Sequence, residues 1–339
     1  MKYVHVILLL FLLNTIQFKV CSQDLFDTSQ KYPLMGHWIG HWENPSMGYE
    51  KIIPKLTAEV ILLDSTKYKI RILPDLMTRA EPYAEFETIT LNKDKIIIDE
   101  NGWEISFSEG ICSGTALLYN KKTTFKLYKS QLTSPTLNLK PPADAIMLFD
   151  GSNSQKWQHA DGKPITWSIT TNGELETRSK FWQSQDGKKN LNGGDIETVD
   201  SYSVPLQFHM EFRYPVEPGK SGQGLGNSGL FFLPIGEVQI LNSFGSNGYW
   251  NECGAIYKRF PPMVNAAAPP LQWQTYDVEI HADENSDDKI FFSLTVRLNG
   301  KLIHNQLLLP NENPDEGIKI KLQDHINRLQ FRNIWVKQL

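Results

Sequence analysis

Glu237 and Gln239 alternate along the segment EVQIL, residues 237–241, with Val238 and Ile240 between them. On a strand, alternate residues share a face, so a carboxylate and a carboxamide would stand together opposite two apolar anchors. That pair could move a proton and hold a hydroxyl, and the glycine-rich flanks would let a ligand come close. A second polar face occurs in QFHMEFRY, residues 207–214, where His209, Glu211 and Arg213 oppose Met210, Phe212 and Tyr214. TYDVEIHA repeats the split, with Asp277, Glu279 and His281 on a face expected to be merely solvated. The C-terminal KLQDHINRLQFRNIWV gathers Gln323, Asp324, His325, Arg328, Arg332 and Asn333. A His beside an Asp is a good acid/base near neutral pH, although the same pair also serves to close turns.

A third constellation is the irregular stretch from Glu252 to Tyr276, rich in proline, alanine and aromatic residues. Long loops of this kind are usually functional when they carry aromatic anchors. Tyr257 and Trp273 could stack on a sugar ring, and Asn265 could pair with its hydroxyls.

These residues need strands to hold them, and the chain supplies strands almost throughout. Residues 24–140 contain short runs of period two, such as KYKIRIL and WEISFS, which imply a small antiparallel sheet or barrel of meander type. SPTLNLKPPADA, with Pro141 and Pro142 adjacent, reads as an extended linker because proline cannot join a central strand. A second series of strand-like runs fills residues 141–339, with Asn-Gly hairpin signals in TNGE and LNGK. The expected class is all-β, a jelly-roll sandwich preceded by a smaller antiparallel β domain.

The first 22 residues read as a secretory signal, with Lys2, an apolar run and VCS before Gln23. Export to the periplasm or outside the cell is therefore expected. Lipid anchoring at Cys21 is disfavoured because Lys19 and Val20 stand where small residues would be needed. The apolar run is also short for a membrane span, so the mature chain is expected to have none. Cys112 and Cys253 then remain, and two buried thiols are favoured over a disulfide between domains. A formal net charge of −4 argues against a nucleic-acid partner. Phosphate-loop, GxSxG and HExxH motifs are missing from the sequence.

Seven pieces in order, MLFDG with Trp157, NSGLFF, EVQIL, CGAIY, NAAAPPLQWQTYDV, LNG and KLQDHINRLQFRNIWV, resemble the 3-keto-disaccharide hydrolase domain family from about Ala143 to Leu339. The earlier GHWIGHW and SPTLNLKPP look like the β-rich domain that precedes this module in some members. The resemblance implies a concanavalin-like jelly roll that cleaves glycosides already oxidised at C3. A ketone at C3 acidifies the C2 hydrogen, so one base can start an elimination that expels the C1 substituent, and water then adds. No carboxylate nucleophile is needed. Retaining glucanases of similar fold carry E-x-D-x-x-E on one strand, whereas this chain reads Glu237, Gln239, Asn242.

The resulting expectations assign Glu237, His325 and Glu211 to catalysis, with His325 oriented by Asp324 or another carboxylate. Asn227, Gln239, Tyr257, Asn265, Trp273 and Arg332 are assigned to substrate. No cofactor is assigned; a divalent metal is kept open, held by Glu237 or facing the developing oxyanion in place of Arg332, and no metal ligand set is assigned. The expected partner is a carbohydrate. One rival is a non-catalytic carbohydrate-binding jelly roll, which would need aromatics and amides but no titrating pair. Another gives the N-terminal sheet its own docking role through an exposed GHWIGHWENP, where His37 and His41 are more simply packing or surface residues than metal ligands.

Overall fold

The alternating runs of the first half close on themselves. In a computed structural model describing residue 26 and residues 31–43, 55–118, 120–177, 194–284, 290–310 and 317–339, eight strands between Gly36 and Ser130 form one antiparallel sheet. Each strand pairs with its sequence neighbour, and the first, Gly36–Trp42, also pairs with the last, Lys121–Ser130. The single seam lies between Ala84–Thr90 and Ile96–Glu100, which a short connection joins in sequence. The sheet therefore curls into an up-and-down barrel of eight strands, a size at which side chains just fill the interior. Trp38, Tyr68, Phe86, Phe107 and Phe125 fill it, and Trp42 packs edge-on against Phe125 at 5.4 Å.

This packing corrects one expectation. Trp38 and Trp42 are 0% and 4% exposed, so GHWIGHW offers no aromatic docking surface. His37 is buried too, its ring edge-on to Phe244 at 5.0 Å, and burial lowers it to about 4.

From Ile146 onward the chain forms a two-sheet jelly roll. One sheet has five strands, in the order Trp157–His159, Ile196–Thr198, Lys319–Leu322, Ser228–Leu233 and Gly236–Ile240. The other has eight, with Leu206–Arg213 paired between Gln274–Glu284 and Gln330–Gln338. Alternation dictates what meets between them: Phe208 and Met210 from one sheet, Leu230, Phe232, Val238 and Ile240 from the other, all buried. Phe208 reaches Phe232 edge-to-face at 5.3 Å. The Asn299-Gly300 turn has both residues at positive φ, 51° and 77°, as a two-residue hairpin between right-twisted strands requires. Among the described residues the single helical element is a 3-10 turn, Gly222–Gly224. Among the described residues no helix is long and apolar enough to cross a membrane. The N-terminal apolar run lies outside the described residues.

The segment expected to be a linker is not a spacer. It turns twice, with Leu137 N–H donating to Ser134 O and Leu139 N–H to Thr136 O, and docks on the larger sheet of the sandwich, where Thr136 Oγ1 donates to Asp277 and Asn138 N–H to Glu211. Barrel and sandwich also meet directly. Arg71 donates to Gly245 O and to Asn247 Oδ1, and Arg79 donates to the carbonyls of Asn247, Gly248, Pro262 and Met263. Cys112 and Cys253 are both buried and unbridged.

Candidate functional site

Pairing register lays the outer face of the five-stranded sheet out in rows. Glu197 pairs with Lys321, Lys321 with Phe231, and Phe231 with Glu237. Beyond that edge the Val238–Ile256 bridge and the Tyr257 N–H to Glu237 O bond, 3.0 Å, set Tyr257 on the same face. The row beside it runs Gln323, Gly229, Gln239, with Gln323 N–H donating to Gly229 O. Val238 and Ile240 point inward to the core, which is why Glu237 and Gln239 point out.

Gly229 makes room for the carboxylate. A Cβ there would stand 2.3 Å from Glu237 Oε1 and 2.9 Å from Cδ. Any side chain at this position would push Glu237 aside, so the carboxylate lies over the glycine as over a floor. Burial drives its pKa up to about 7, with the Lys321 ammonium pulling it back and Asp195 adding to the rise. A carboxyl group poised near neutrality can both take and give a proton. Lys321 is anchored 3.2 Å from Asp195 and lies 4.0 Å over the Phe231 ring, which sets one fixed cation beside the carboxylate.

The nine residues expected at the site do not share it. Glu237, Gln239, Tyr257 and Asn227 lie on or at the end of this face. Gln239 is nearly fully buried: its Oε1 accepts from Ile240 N–H and its Nε2 donates to Gln223 Oε1. Asn227 donates to Gln223 O, so both amides shape the wall. His325 follows the strand Lys319–Leu322 in a loop held against the same sheet, where Ser228 Oγ donates to Gln323 O and Asp324 N–H to Asp195 Oδ1. His325 is partly exposed, and among the described residues no hydrogen-bond partner reaches its buried Nδ1. Asn265 sits in the loop facing the barrel and donates to Ser243 O and Ser246 O, holding that loop together.

Glu211, Trp273 and Arg332 are on the opposite side of the sandwich. Glu211 alternates with Met210 and Phe212, which are core residues of the eight-stranded sheet, so its side chain leaves through the other outer face. There it is fully buried beneath the docked 134–139 segment: Asn138 N–H and Asn333 Nδ2 donate to Oε1, and Arg332 Nε to Oε2. Burial alone would raise this carboxyl, but the His209 imidazole 3.8 Å away and the donors Asn333 and Arg332 hold it down at about 2. A locked carboxylate of that kind is a structural anchor. Trp273 is taken up likewise, with the Arg332 and Arg213 guanidinium groups at 4.1 and 4.6 Å from its ring. His209 bonds Asp277 at 2.7 Å and stacks on Trp335. Among the described residues no three His, Cys, Asp or Glu side chains come together as metal ligands would.

Three participants escaped the sequence reading: Lys321, Phe231 and Gly229. The period-two pattern of IKIKLQ marks Lys321 as facing outward, but only strand pairing shows that it faces Glu237.

Comparison with known proteins agrees with the jelly roll. A candidate glycosyl hydrolase from Parabacteroides distasonis aligns with 28% identity and a TM-score of 0.50, over 58% of this chain and 85% of its own. A second from the same organism, at 19% identity and TM-score 0.39, covers 58% of this chain and 94% of its own. An alginate lyase in complex with alginate tetrasaccharide, at 9% and 0.35, covers 58% and 97%. The last two are too distant to inform the site. No curated protein matches the chain. Residues 144–337 match one family along almost the whole sandwich, and the chain belongs to the 3-keto-alpha-glucoside-1,2-lyase-like domain family.

Proposed function

We propose that the Glu237 face cleaves the glycosidic bond of 3-keto-glycosides by elimination followed by hydration. Glu237 removes the C2 hydrogen as a proton, and the C2 electron pair passes into the enolate of the C3 ketone. The Lys321 ammonium faces the developing oxyanion. The enolate then expels the C1 oxygen, which takes a proton from His325 as the C1–O bond breaks. Glu237 gives the abstracted proton to solvent, water adds to the resulting enone at C1 with its proton passing through Glu237 to C2, His325 takes back a proton from solvent, and the products are the free 3-keto sugar and the alcohol. The face of Tyr257 and the ring of Phe231 would hold the sugar's C–H surface.

The observation that carries this reading is the Glu237 carboxyl, raised to about 7 beside a single cation. Gln239 and Asn242 replace the other two acids of a retaining glucanase strand, so displacement at C1 through a carboxylate has no second group on this strand. A purely binding jelly roll would gain nothing from a carboxyl held over a glycine at neutrality. The test is aglycone release from a 3-keto-glycoside and its unoxidised parent, with wild type and Glu237→Gln. Release only from the ketone, lost in the variant, supports the reading. Equal release from the parent overturns it.

A further inference from the structure

Past the edge strand Gly236–Ile240 lies a groove of about 640 Å³ lined by Arg79, Tyr249, Trp250, Lys258, Arg259 and Pro261. Three of these are cations, two are large aromatics, and none is Asp or Glu, on a chain whose net charge is negative. Tyr249 and Trp250 are 54% and 49% exposed, so their rings present faces to solvent.

The platform is built rather than loose. Arg79 reaches over from the barrel and binds four carbonyls of the loop. Glu252 accepts from Tyr249 N–H and Ser246 Oγ, and Lys258 N–H donates to Trp250 O. Lys258 itself stands at φ 58°, a left-handed conformation that ordinarily favours glycine or asparagine. Strain of that kind persists only where surrounding contacts hold it, and it concentrates at functional positions. The groove adjoins the Glu237 face, since Lys258 follows Tyr257 and its ammonium lies 5.3 Å from the Tyr257 ring.

Exposed aromatic rings on a fixed loop are how proteins hold sugars, and cations beside such rings select carboxylates or sulfates. We infer that this groove binds an anionic glycan segment, a uronic-acid or sulfated residue, attached to the sugar processed at Glu237. The position of that sugar rests on the reading of the Glu237 face given above, but binding in the groove can be measured without turnover.

The test titrates the full chain by calorimetry with trigalacturonate, with a sulfated trisaccharide and with neutral maltotriose, in low and high salt. The expected result is at least tenfold tighter binding of one acidic trisaccharide than of maltotriose, weakened by salt. The acidic ligand that binds more tightly identifies the charge that is read. Trp250→Ala and the double variant Lys258→Ala/Arg259→Ala should each weaken it at least tenfold with unchanged circular dichroism, while Lys122→Ala, which removes an exposed cation of the barrel, binds as wild type. Equal affinity for maltotriose, or no effect of either groove variant, overturns the inference. So does an acidic peptide of equal charge binding as tightly, since the rings would then read no sugar. Groove binding with no turnover of any ketone would contradict the chemistry at Glu237 alone.

Discussion

Replacing Glu237 by Gln removes a titrating proton from the floor of the site and leaves its shape nearly unchanged. In the folded chain the carboxyl sits at about 7 against an ordinary 4.5. Between those values it is protonated when folded and ionised when unfolded. The unfolded chain therefore binds fewer protons, and wild-type stability falls as pH rises through this window. At about 1.4 kcal/mol per pH unit the deficit above pH 7 could reach about 3 kcal/mol, and partial solvent access reduces it to roughly 1–2 kcal/mol. Glu237→Gln escapes this penalty, so it should melt with wild type near pH 4 and several degrees higher near pH 8. The same variant should lose about 100- to 10,000-fold in kcat/KM on a 3-keto-glycoside, as expected when a general base is removed. Thermal melts at pH 4, 6 and 8 beside initial rates measure both effects. A melting difference that stays constant with pH would refute the assigned environment of the carboxyl. Retained turnover would refute its role.

Other expectations follow from the same geometry. The limb of the wild-type kcat/KM profile that belongs to Glu237 should rise with pH through about 7, because the base acts ionised; a profile with no rising limb there would reverse the proton's direction at Glu237. Gly229→Ala places a Cβ 2.3 Å from Glu237 Oε1, so activity should drop at least tenfold with a smaller effect on melting, and unchanged kinetics would mean the carboxylate does not lie over that glycine. Glu211→Ala strips a buried partner from Arg332 and should cost about 3–5 kcal/mol in urea unfolding. Since the Glu211 pKa is lowered when folded, its contribution should be present above about pH 4.5 and fade as pH falls toward 2. Arg79→Ala removes the donor to four loop carbonyls and should speed amide exchange at 247–263 without altering exchange in the barrel.

The strands were legible and the sheets were not. QFHMEFRY and EVQIL show the same alternation, and both do place polar residues outward. They belong to different sheets, however, so Glu211 and Glu237 leave the sandwich on opposite sides. Which strands pair is decided by contacts far apart in sequence, and local periodicity carries no record of it. Lys321 illustrates the reverse failure. Its segment looks like an ordinary solvated face, and its importance comes from Phe231 and Glu237, more than 80 residues away. Proline-rich SPTLNLKPP excluded a central strand correctly, yet an irregular segment can still dock: its Asn138 N–H meets a carboxylate that the sheet leaves buried. The Trp residues of GHWIGHW looked like docking aromatics because a barrel interior and a binding surface draw on the same residue types.

The central claim is that Glu237 takes a proton from the carbon beside a ketone. It is tested most directly with a 3-keto-glycoside carrying deuterium at C2, incubated with the protein in ordinary water while the C2 label and the released alcohol are followed together. Deuterium should pass to solvent as the alcohol appears, with a slowed rate relative to the unlabelled substrate, and both events should vanish in Glu237→Gln. Release of the alcohol with the C2 deuterium fully retained in the sugar would contradict the account.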